Sequence, residues 1–196
     1  MILEDDVLFG KHSCKTIEGA VASIPETGWD LIFTDVCITN IHSMIELLEL
    51  RRSLVANQQT AVLDIKPLMF AGATAYVINR GSKAKVLDLL DRADPLDVPY
   101  DLYLRERIRR SEINARVLFP FATSLSVLAE SSSIQQSDGS VADLVWNAFR
   151  RLVWSERDIE QAVRPLEGIE HEYFDSETTA VSRILAAQLS PRYRLK

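Results

Sequence analysis

Three consecutive acids, Glu4-Asp5-Asp6, stand between the apolar residues Ile2-Leu3 and Val7-Leu8-Phe9. An apolar run that breaks on charge reads as a buried strand arriving at a polar edge. In an extended chain Glu4 and Asp6 point to one side and Asp5 to the other. Like charges held that close must take up protons, find cations or stay in water. A divalent cation supplies the missing charge, and carboxylate oxygens suit Mg²⁺ or Mn²⁺, ions that also bind substrate phosphates. A solvated acidic turn after a strand is the plainer alternative. Either way, the fold must expose the end of its first strand.

The rest of the chain alternates between strand-like and helix-like segments. Ile17, Ala20, Val21 and Ile24 recur at helical spacing, and Pro25 closes that helix. Trp29 to Val36 (WDLIFTDV) is a second buried strand. Ile41 to Val55 is a periodic helix with Ile41, Met44, Ile45, Leu48 and Leu54 inward. Strands follow at Thr60 to Ile65 and Ala75 to Ile78. The second turns at Asn79-Arg80-Gly81 into a helix bearing Val86, Leu87, Leu89 and Leu90, with Ser82 suited to cap it. Pro95 to Arg110 is a turn and a helix, and Arg116 to Phe121 a last strand. After the polar stretch Ser131 to Ser140 only helices are expected: Val141 to Trp154, Glu156 to Val163 and Ser176 to Leu189. The pattern predicts an α/β layer structure over 1–135 with a helical extension over 136–196. Because the chain starts on the acid-tipped strand, it reads as lacking a preceding portion.

Composition excludes several classes. A net charge of -6 argues against a nucleic-acid surface, which needs clustered Lys and Arg. No apolar run approaches the ~20 residues of a membrane span, and Met1 to Val7 lacks the basic start of a signal peptide. Two cysteines, Cys14 and Cys37, are expected as buried thiols rather than a disulfide framework. His12, His42 and His171 share no metal-ligand spacing. Neither a nucleophile elbow nor a glycine-rich phosphate loop occurs. Arg105, Arg107, Arg109, Arg110 and Arg116 form a basic cluster that would suit an acidic acceptor. As a solvated helix face it would be offset by Glu106 and Glu112. Trp146, Phe149, Leu152 and Val153 make an apolar stripe beside Arg150 and Arg151. Core packing is its expected role, with membrane-surface contact or self-association as the alternative.

Two families place acids at a strand end in this way. In a phosphoacceptor receiver domain, Asp35 would be the phosphoacceptor. The stretch from Asp6 to Asp35 has room for one helix and one strand only, whereas a receiver needs a further pair. The wider resemblance is to glycosyltransferase family 25, of the lipopolysaccharide and procollagen galactosyltransferase type. Ile2 to Leu8 (ILEDDVL), Trp29 to Phe33 (WDLIF), Ala73 to Leu90 (ATAYVINRGSKAKVLDLL) and Pro95-Leu96-Asp97 before a helix resemble that family's segments in the same order. Phe119-Pro120, Thr123 to Ser126 and Ser132-Ser133-Ile134 are similar to its closing strand and serine loop.

The resemblance implies a GT-A-like fold: a mixed sheet flanked by helices that binds a nucleotide-diphospho-sugar. Glu4 and Asp6 would hold Mn²⁺ (or Mg²⁺) against the diphosphate of a UDP-sugar, with Asp5 a supporting or ribose contact. Asn79 and Arg80 would face the same rim and touch the sugar or diphosphate, a turn role before Gly81 being the alternative. Asp97 would be the general base, with Asp101, one helical turn on, as its alternative. Helix capping is the structural alternative for both. The implied reaction is inverting transfer of a sugar, commonly galactose, to a hydroxyl of a glycan, glycolipid or protein acceptor. The expected location is cytoplasmic, with peripheral contact at the inner membrane surface. A non-catalytic domain recognising a partner or glycan through the same cleft is the competing reading.

Overall fold

Alternation of side chains along the strands decides how the layers stack. The computed structural model describes residues 1–92, 97–126 and 141–167, together with 176, 177, 180 and 184. A five-stranded mixed sheet runs in the order β1 (Ile2–Leu3), β7 (Ala75–Ile78), β3 (Leu31–Phe33), β8 (Ala115–Phe119), β5 (Ala61–Asp64). Only β3 and β8 pair in parallel; the other three pairings are antiparallel. Two short antiparallel ribbons complete the strands among the described residues: β2 (Val7–Phe9) with β9 (Thr123–Leu125), and β4 (Cys37–Ile38) with β6 (Phe70–Ala71). The sequence pattern gave no sign of β4, β6 or β9 as separate strands, because pairs and triplets of residues show no period. The chain is thus α/β, with a mixed sheet flanked by helices.

β3 is buried along its whole length, and its neighbours divide the core in two. Leu31, Phe33, Ala115, Val117 and Phe119 face one side. There they meet α2 (Ile41–Ala56), α3 (Lys83–Asp91), α4 (Tyr100–Arg109) and α5 (Val141–Leu152) through Met44, Leu47, Val86, Leu104, Ile108, Phe149 and, just beyond α5, Val153. Ile32 and Leu118 face the other side, where Ile17 and Ala20 of α1 (Ser13–Ser23) cover them beside Trp29. This is the period-2 split expected of a sheet buried on both faces. Phe33 touches Phe70 and Tyr76 at ring separations of 5.7 Å, so truncating it to Ala should cost about 3–5 kcal/mol.

Helix ends are secured by different devices. Asn40 caps α2, its side chain accepting the Ser43 N–H at 3.1 Å. The start of α1 is held from far along the chain: Glu156 accepts the Lys11 and His12 N–H groups, each at 2.7 Å. A Cβ at Gly10 would overlap that carboxylate, which is why glycine suits this position. Asp158 caps α6 (Ile159–Glu167) through the Gln161 N–H. Ser82 departs from expectation: its hydroxyl donates to Asp30 at 2.6 Å instead of capping α3.

Two further expectations change. Ile41 is 58% exposed, whereas Leu47 and Arg51 lie on the inward stripe of α2. Cys37 is buried but Cys14 is exposed on α1. The α5 stripe packs into the core as expected: Phe149 joins the main core with Val153 just beyond the helix, and Trp146 packs against that core. The expected helix at Ser176 to Leu189, the serine loop and His171 lie outside the continuously described residues.

Candidate functional site

Because β1 and β3 run the same way with β7 antiparallel between them, one rim gathers the ends of β1 and β3 and the start of β7. Glu4 prolongs the ladder there, its N–H donating to the Thr74 carbonyl at 2.8 Å. Asp6 follows at the entry to β2, its carbonyl accepting the Ser126 N–H at 2.8 Å. The Asp6 Oδ1 atom is buried with no hydrogen-bond partner. Asp5 between them is exposed.

The first turn of α4 closes on this rim. Asp101 accepts the N–H of Gly72 through Oδ2 at 2.7 Å, at a glycine whose φ of +79° disfavours other residues. The Tyr100 and Tyr76 hydroxyls meet at 2.8 Å. Burial, then Tyr100 and then Glu4, keep the Tyr76 phenol protonated well above its ordinary range. Glu4 keeps solvent contact, yet its pKa is raised, first by the protein packed around it and then by Asp6; Asp101 and Asp35 add to this and Arg150 opposes it. Four carboxylates therefore share one neighbourhood. Asp97 is exposed, three residues ahead of α4, and does not cap the helix, which Pro99 precedes.

Beneath the rim lies an ion pair that sequence reasoning did not find. Asp35 is fully buried and Arg150, from α5, is 3% exposed. Arg150 donates to Asp35 Oδ2 from Nε at 2.6 Å and also from Nη2, which reaches Thr74 Oγ1 at 2.6 Å. Asp35 Oδ1 accepts the Thr123 hydroxyl at 2.9 Å, and Thr123 lies 2.7 Å from Thr34 Oγ1. With the Thr123 proton given to Asp35, the Thr34 hydroxyl is the donor of its own pair, within reach of both Thr123 and the Ala75 carbonyl, the latter at 3.1 Å. Such burial is at odds with a phosphoacceptor role for Asp35. A charged residue inside WDLIFTDV signalled a buried partner, but nothing in the sequence named Arg150.

Asn79 and Arg80 do not join this rim, and here the expectation is corrected. β7 is antiparallel to β1, so its C-terminal end lies at the opposite edge of the sheet. Asn79 is buried there; its amide donates to the carbonyls of Glu26 and Trp29 and accepts the Gly81 N–H. The turn reading describes it. Arg80 is exposed in the same turn. Asp30 stands nearby: burial pushes its carboxyl up, but hydrogen bonds from Lys85, Ser82 and the Asn114 N–H outweigh that and hold it low. The basic cluster is engaged. Arg109 and Arg110 bond Glu106, holding it down to about 2, Arg107 bonds Glu112, Arg116 reaches Asp64 at 4.0 Å, and Arg105 donates to the Phe70 carbonyl.

A divalent cation fits the rim only in part. Among the described residues no three His, Cys, Asp or Glu side chains form a ready-made metal cage. The partnerless Asp6 Oδ1 beside Glu4 suits the sparser arrangement in which one or two carboxylates bind Mg²⁺ or Mn²⁺ and substrate phosphates complete the shell. A surface groove of about 370 Å³ between α1 and β5, lined by Lys15, Thr16, Ser23 and Thr60 among others, has no acid in its lining. No helix among the described residues is long and apolar enough to cross a membrane. Comparison with protein-family models, with curated proteins and with solved structures finds no match to this chain.

Proposed function

We propose that the acidic rim is the donor site of a metal-dependent glycosyltransferase that moves a sugar from a UDP-sugar to an acceptor hydroxyl. The observation that carries this reading is the convergence of Glu4, Asp6 and Asp101 on one rim, with Asp6 Oδ1 buried and unpartnered. Support also comes from the sheet. The three segments similar to glycosyltransferase family 25, ILEDDVL, WDLIF and AYVI, are neighbours in the order β1–β7–β3, which fits a GT-A-like fold.

In this reading Glu4 and Asp6 would hold Mn²⁺ or Mg²⁺ with the diphosphate completing the shell. Bound there, the ion would withdraw charge from the departing UDP. Asp101 is committed to the Gly72 N–H and so orients the start of α4. That leaves Asp97, exposed just ahead of the same helix, to take the proton of the acceptor hydroxyl as its oxygen attacks the anomeric carbon. The acceptor is a glycan, glycolipid or protein hydroxyl.

Calorimetric titration of UDP with and without Mn²⁺, repeated with Asp6→Asn, tests the proposal. Metal-dependent binding that the variant loses is the expected result. A folded protein that binds no UDP under either condition would favour the non-catalytic binding domain instead.

A further inference from the structure

We infer that Arg51 and Arg157 form a binding site for a phosphate-type oxyanion, apart from the acidic rim and independent of the transferase reading. Arg51 occupies the inward stripe of α2, in register with Met44 and Leu47, and is 5% exposed. An apolar side chain is what that stripe calls for. A guanidinium always carries its charge and offers several N–H donors in a planar fork. At Arg51, Nη2 reaches the Trp154 carbonyl at 3.4 Å, and Nε is buried with no acceptor.

Buried charges are ordinarily paired. Arg150 follows that rule through Asp35, and Arg151 donates to the carbonyls of Leu125 and Ser126. Arg51 has no carboxylate partner among the described residues. Its charged neighbour is instead a second cation: Arg157, three residues beyond Trp154, acts on it. Burial first and Arg157 second lower the Arg51 pKa to about 10.

The acids adjacent to Arg157 in sequence are turned to other work. Both Glu156 oxygens accept N–H groups at the start of α1, and Asp158 caps α6. Two neighbouring arginines, one buried with an unspent donor and neither joined to a carboxylate among the described residues, are complementary to a tetrahedral oxyanion. The rim, with its excess of carboxylates, repels such a group unless a metal bridges it.

The test is run in EDTA, so that no divalent ion carries an anion to the rim. Melting temperature and calorimetric heat are followed against inorganic phosphate, with ionic strength held constant by chloride. Saturable phosphate binding is expected, weakened about tenfold or more in Arg157→Gln and lost in Arg51→Met. Arg157 is exposed, so its variant folds and carries the test if Arg51→Met does not. Repeating with glycerol 3-phosphate distinguishes the sources: tighter binding than inorganic phosphate identifies a phosphomonoester ligand, and weaker binding identifies the free ion. Absence of a saturable phosphate effect beyond chloride, or an affinity unchanged in Arg157→Gln, overturns the inference.

Discussion

The Asp35–Arg150 pair should behave as one unit, and a double-mutant cycle can measure it. Asp35→Asn leaves a dry, unpaired guanidinium, and Arg150→Met leaves a carboxylate with only the Thr123 hydroxyl. Each change should cost about 3–5 kcal/mol, because the surviving charge stays buried without its partner. The double variant removes both charges. Its remaining loss is the bond to Thr74 and a weakened one from Thr123, about 1 kcal/mol each. The two single effects therefore sum to far more than the double effect, with a coupling of at least about 4 kcal/mol. At about 2–4 °C per kcal/mol for a chain of this size, each single variant should melt about 6–20 °C below the parent. The double variant should melt only about 4–8 °C below it. Scanning calorimetry and urea denaturation both read these quantities. A double variant as unstable as the two singles added together would refute the reasoning, as would single variants costing under about 1 kcal/mol, the range of exposed pairs.

Further outcomes follow from other contacts. Glu4 has a raised pKa in the folded protein, so its ionisation opposes folding; the relative gain from protonating it is present below the ordinary 4.5 and lost as pH rises through the folded value. Glu4→Gln should thus melt higher than the parent at neutral pH without divalent ions, and the difference should shrink in acid; a pH series of melts checks this. Gly10→Ala should lower stability by about 1–3 kcal/mol by evicting the Glu156 carboxylate from two N–H groups, and should add little further in a Glu156→Gln background. For Asp97→Asn, sugar transfer measured by UDP release should be abolished while metal-dependent UDP binding is kept. Undiminished turnover would eliminate Asp97 as the base.

The sequence made legible what has a period or a sharp boundary. Apolar runs over Trp29–Val36, Thr60–Ile65, Ala75–Ile78 and Arg116–Phe121 marked four strands of the main sheet, and the acidic triplet marked the polar end of the fifth. Asn79 was misplaced because a strand shows its ends but not its direction relative to a neighbour; only the antiparallel pairing of β7 with β1 puts that turn on the far edge. Arg51 was overlooked because helical spacing was judged on apolar residues. Its position, seven after Met44 and four after Leu47, put a charge on the inward stripe and was readable as an anomaly. Arg150 was seen as a flank of an apolar stripe, since a contact between residues 115 positions apart leaves no local trace.

That separation also has a consequence during synthesis. At about 5–20 residues per second, Arg150 is made on the order of 6–23 s after Asp35. Through that interval the carboxylate at the end of β3 lacks its Arg150 partner, although α4 has already been made. The acidic rim is consequently among the later parts of the molecule to assemble on the ribosome, because the Asp35–Arg150 pair beneath it closes only once α5 has emerged.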